Sequence, residues 1–331
     1  MRNKNIYGTV FLLILITMGC SKSVLDEGSS KGITSYLQQE FELAGERFPE
    51  SRYYLMETKL VKYALDGKRT GVDTFMLKLE YAPASISGKD QDEYICTQFT
   101  VQNGTESAVS IPALAGWSYV FVQGYDEEGR VFGIDHERFE NLETGEGKAL
   151  PPDMAYFVYN TFIDFHGFCN AFAERTDEGK GIQDLKKIGD KIIHAASFTE
   201  PPVSLGSNVA EGSTFKNGEV TLEFKGMSLV DDILCSVVAF DSGESSFNMI
   251  MQPTPKMEIK TVGSSHYKGD LFIDMKSNWV QKVVMDEIVV SETILPMPPH
   301  KINAVIERMS TIRSVNESVF SQNNKDSNKI I

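Results

Sequence analysis

The chain has 331 residues, 41% of them hydrophobic, and carries 46 Asp and Glu against 32 Lys and Arg for a net charge of −14. That length supports one large or two medium bodies with cores of their own. The acidic balance repels phosphate backbones, which excludes nucleic acid as a natural partner, and 12 Tyr with 20 Phe point to a chain rich in strands.

Residues 1–19 read as a signal peptide: Arg2 and Lys4 precede an apolar stretch from Tyr7 to Met18. About a dozen apolar residues are too few for a membrane span, which needs roughly 20. The junction Ile16-Thr17-Met18-Gly19-Cys20 resembles the bacterial lipobox, with Thr17 standing where Leu is usual. The resemblance implies cleavage before Cys20 and acylation of its thiol. Two or more acyl chains hold a protein on a membrane where one does not, each buried methylene contributing about 0.8 kcal/mol. By the same resemblance, Ser21 after the Cys implies an outer-membrane destination, and Asp26-Glu27 is similar to the acidic surface-export signal of Bacteroidota lipoproteins.

Residues 20–31 form a polar tether, and Ile33 to Phe48 carries a partial apolar stripe of helical spacing that Pro49 ends. From Tyr53 the period changes to two. Tyr54–Tyr63 and Thr74–Tyr81 read as a hairpin across Asp66-Gly67, followed by strands at Tyr94–Val101, Ala108–Leu114, and Trp117–Gln123 pairing with Arg130–Ile134. Residues 32–150 are thus an N-terminal β unit that ends in a charged loop. Asp153–Phe172, dense in aromatics after Pro151-Pro152, predicts a buried helix, and Ile182, Leu185, Ile188 and Ile192 predict a second over Ile182–Ile193. These two make a helical pair over 151–200. Residues 201–316 read as an antiparallel meander with segments at Glu219–Lys225, Ile233–Phe240, Ser246–Met251, Met257–Val262, Tyr267–Met275, Trp279–Glu292 and Lys301–Ser314, and 317–331 as a disordered polar tail.

Chemistry-bearing residues are sparse. Asp164 and His166 are the nearest approach to an acid/base pair, but two residues apart they point to different sides of a helix, and no GxSxG completes a triad. Asp135-His136-Glu137 lacks the second His or Cys that a zinc site needs, and His194, His266 and His300 stand alone. No Gly-rich phosphate loop occurs, so neither metal nor cofactor is expected. Cys96, Cys169 and Cys235 lie in apolar runs and read as buried free thiols. Trp117, Tyr119 and Trp279 could stack on sugar rings or line a cavity.

The expected class is α+β, mainly antiparallel β: an N-terminal sheet, a central helical pair and a curved C-terminal meander. Over about residues 153–315 this order is similar to the half-barrel of periplasmic lipoprotein carriers, in which helices plug the concave face. The resemblance implies an apolar cavity lined by Phe157, Phe162, Phe165, Val237 and Met249. The expected function is a non-enzymatic envelope lipoprotein, held to the membrane by its anchor, that binds a lipid, a glycan or an outer-membrane protein. The alternatives are an accessory of polysaccharide uptake or degradation and a hydrolase using Asp164 and His166.

Overall fold

Alternation of period two dominates the chain because each strand has one face to bury. In the computed structural model the described residues are 39–321, apart from 178, 202, 204–209, 211 and 255–256. The signal peptide, Cys20, the tether, residues 33–38 of the first expected helix and residues 322–331 lie outside them.

The strands are β1 (Arg52–Tyr63), β2 (Arg69–Ala82), β3 (Glu93–Asn103), β4 (Val109–Ser110), β5 (Trp117–Tyr119), β6 (Lys191–Ile193), β7 (Thr214–Lys216), β8 (Thr221–Val230), β9 (Ile233–Asp241), β10 (Ser245–Thr254), β11 (Met257–Asp274), β12 (Val280–Ile294) and β13 (Lys301–Val315). All pairings are antiparallel, and the main path runs β4-β3-β2-β1-β13-β12-β11-β9-β8-β6. Because β1 pairs with β13, the N-terminal and C-terminal strands form one sheet. The sequence leaves open whether the two β regions are separate units or one α+β body; in the structure they share that single ladder.

One row of directly opposed residues shows how the sheet holds together. Phe99, Leu77, Met56, Ile312, Val283, Leu271, Val238 and Phe224 follow one another across eight strands, and each is buried. The helix α1 (Pro152–His166), extended by a π-helical turn at Gly167–Ala171, lies against this row. Its aromatics meet successive strands: Phe157 touches Phe75 of β2, Phe162 stacks on Phe99 of β3 at 5.7 Å, Phe165 meets Tyr54 of β1 and Phe168 stacks on Phe240 of β9 at 5.0 Å. A sheet whose separate strands all reach one helix must curve around it.

The aromatic helix forms where the pattern places it, but the second helix does not. Asp184 accepts the Lys180 N–H at 2.6 Å, and Asp190 accepts those of Lys186 and Lys187. The Lys186 and Lys187 N–H groups are donors that a helix over 182–193 would need. Gly189 sits at a φ of +93° and pairs with Phe224, so only a 3-10 turn (Ile182–Asp184) and the short β6 remain. Likewise 39–50 forms no helix. Leu43 and Ala44 are buried, and the Arg175 guanidinium donates to the Ala44 carbonyl at 2.7 Å.

Three further expectations change. The segment Ala108–Leu114 shortens to β4 plus a 3-10 turn, and Trp117–Gln123 to three strand residues with a single bridge, Tyr125 to Val131. Met257–Val262 and Tyr267–Met275 are one strand, because β10 and β12 supply ladder partners on both sides of Gly263-Ser264-Ser265. At the C-terminus, 317–321 form a helical turn that buries Phe320 against Tyr53, so the polar tail begins later than expected.

Candidate functional site

Two polar clusters flank α1 on different sides. His166 is fully buried among Tyr94, Tyr119, Phe121 and Phe165. Asn170 donates through Nδ2 to Tyr94 and Glu174, which leaves its Oδ1 to accept from His166 Nδ1 at 3.0 Å. The Nε2 of His166 is therefore the acceptor, and Tyr119 donates to it at 2.8 Å. Burial pushes the imidazole down to about 3, so it is neutral at physiological pH. With both nitrogens occupied, His166 has no free lone pair to act as a base.

Asp164 faces the other way. Arg308 on β13 bridges it to Glu287, the residue directly opposite on β12. All three side chains are about nine-tenths buried. Burial raises Asp164 to about 7, opposed by the Arg308 charge and helped by Glu287. Two carboxylates for one guanidinium leave an excess negative charge that a proton on Asp164 relieves.

Beyond this cluster the same sheet face continues past the helix. Its rows are Lys62, Ile306, Val289 and Ser265, then Ala304, Ser291, Gly263 and Phe247, then Ile302, Thr293, Thr261 and Met249. Apart from the buried Ser265 and the exposed Ile302, these residues are half-buried. The Phe247 ring lies over Gly263, where any side chain would collide with it and with the Val290 carbonyl. The result is a surface on which Ile306, Val289, Phe247, Ile302 and Met249 are interleaved with Ser and Thr, with Lys62 at its edge and the Asp164–Arg308–Glu287 cluster at its inner end.

The expected cavity between helix and sheet is occupied by the protein itself. Phe162 and Phe165 are fully buried, and Phe157 is half-buried against Phe75. Met249 lies on the uncovered helix-side face, whereas Val237, one position from the buried Val238, faces the opposite side. Trp117, half-buried, stacks on Tyr119 at 4.6 Å, and Trp279 is buried with its indole N–H donated to the Phe48 carbonyl at 2.8 Å. Arg47 covers that indole at 4.4 Å, so none of these three rings is presented as a platform for sugars.

Asp135 accepts the Glu137 N–H and caps a 3-10 turn at His136–Phe139. Among the described residues, no group of three or more His, Cys, Asp or Glu side chains is placed to hold a metal ion. The three cysteines are buried and free, and burial pushes Cys96 up to about 12. Arg308 and Glu287 were missed in the sequence. Their signal is parity: each sits at a core-facing position of its strand, in register with Ile312 and Ser310 on β13 and with Val283 and Met285 on β12.

No protein-family model and no curated protein matches this chain. Among solved structures it is similar to a loop-deletion mutant of OmpT, an outer membrane protein of Vibrio cholerae, at 9% identity over 80% of this chain and 99% of that one. The TM-score is 0.14, and at that level the likeness carries no argument about fold or function.

Proposed function

We propose that this chain is a non-enzymatic lipoprotein of the outer membrane, anchored through Cys20, that binds an amphipathic lipid on the uncovered part of the helix-side sheet face. The observation that carries the reading is the continuity of Ile306, Val289, Phe247 and Met249 with the Asp164–Arg308–Glu287 cluster. A ligand with an apolar chain and a hydrogen-bonding head fits that sequence of surfaces, since small-molecule sites pair apolar walls with a few convergent polar groups. Hydrolysis is disfavoured because Asp164 and His166 do not converge and each is already engaged. A glycan-binding role is disfavoured because Trp117, Tyr119 and Trp279 are packed into the protein.

The test is titration of the full chain with a fluorescent acyl-chain probe such as dansyl-undecanoate. Saturable binding is expected, lost in Ile306→Glu and retained in Ile288→Glu, whose side chain lies on the other face. Absence of saturable binding, or equal loss in both variants, would overturn the reading.

A further inference from the structure

The β1–β2, β10–β11 and β12–β13 hairpins end together. Ile250, Lys260, Ile294 and Lys301 form one row across β10 to β13. Leu65, from the β1–β2 turn, shares an open depression of about 470 Å³ with Val262, Val290 and Asn303. The large apolar side chains at this end stand in water: Leu65 is 69% exposed, Met297 53% and Ile302 46%.

Charge is segregated in the same direction. The described residues of 62–69, 251–260 and 294–303 together carry five Lys or Arg against two acids, in a chain that has 46 acids to 32 bases. At the opposite end of the sheet, residues 83–93, 231–232 and 274–277 carry two Lys against six acids. Two of these five basic groups are engaged locally, Lys62 by Asp73 and Lys301 by Glu292. Lys68 and Arg69 lie in the exposed β1–β2 turn region. Local fields act over roughly one Debye length, about 10 Å, so the end of the sheet decides what it meets more than the net charge does.

We infer that this hairpin end is a membrane-docking surface that seats on an anionic lipid headgroup layer. Exposed apolar side chains ringed by bases are what interfacial binding requires: the chains enter the headgroup boundary while the bases pair with lipid charge. An acidic protein partner would suit the bases but would not account for the exposed apolar side chains Leu65 and Met297 on two separate hairpins. The inference needs neither acylation of Cys20 nor lipid binding on the helix-side face.

The test is co-sedimentation of the full chain carrying Cys20→Ala with phosphatidylglycerol vesicles and, separately, phosphatidylcholine vesicles. Residues 1–19 are common to every variant, so their own affinity cancels in the comparison. Binding should be stronger on the anionic vesicles and should weaken with salt. Lys68→Glu with Arg69→Glu, two changes in an exposed turn region, should weaken anionic binding by roughly tenfold or more. Met297→Glu should weaken it too, whereas Leu229→Glu, at the acidic end, should not. Equal binding to both vesicle types, or charge-reversed variants that bind as the parent does with an unchanged circular dichroism spectrum, would overturn the inference.

Discussion

Asp164 and His166 are two residues apart, yet burial moves their titrations in ways that oppose each other. Asp164, raised to about 7, holds its proton in the folded state well above its ordinary value of 3.8. Its contribution to stability is therefore fully present below pH 4 and is lost as pH rises through 7. His166, lowered to about 3, contributes stability that is present above its ordinary 6.5 and lost as pH falls towards 3. Asp164→Asn removes only the first effect. The thermal midpoint of the parent relative to Asp164→Asn should accordingly rise as pH is lowered from 7 to 4, and a flat difference would show that Asp164 titrates normally. Removing Arg308 is a harsher change, since it leaves two buried carboxylates without their cation. Arg308→Met should cost about 3–5 kcal/mol by denaturant unfolding at pH 7, and less at pH 5, where Asp164 is protonated.

For the elements, the decisive contacts are those between α1 and the sheet. Phe162 is fully buried and touches Phe99, Trp117, Tyr119 and Phe139. Phe162→Ala should destabilise by about 3–5 kcal/mol, with the far-ultraviolet spectrum retained at low temperature. Gly269 offers a complementary check from the sheet side. A methyl there would meet the Val284 carbonyl and the Phe240 ring, so Gly269→Ala should lower the thermal midpoint although alanine has the better strand backbone. The aromatic helix was legible in the sequence because seven aromatics in twenty residues after a double proline leave few alternatives. The segment after Gly181 looked equally periodic, but periodicity records which residues are apolar and not which backbone bonds win. There the carboxylate of Asp190 captured the Lys186 and Lys187 N–H groups that a helix would have used, and Gly189 donates instead to Phe224 of β8.

Taken whole, the described body is one open sheet whose two halves are joined by β1 against β13, strands about 250 residues apart in sequence. Equilibrium unfolding followed by tryptophan fluorescence and by far-ultraviolet dichroism should therefore give coincident transitions. Two separated transitions would mean that the N-terminal and C-terminal strands are independent units after all. Mainly antiparallel β architecture, most strand positions, the buried aromatic helix and the buried thiols could all be read from the chain alone, because each depends on local alternation, turn residues or apolar runs. The sequence also carried the whole case for export and acylation, which lies in residues outside the described structure. Only the tertiary structure decided that the two β regions are one sheet, that Phe162 and Phe165 fill the space a ligand was expected to occupy, and that Arg308 and Glu287 join Asp164. Those outcomes depend on strand register and on which face each side chain takes, and both are set by pairings between residues far apart in the chain, where no local pattern reaches.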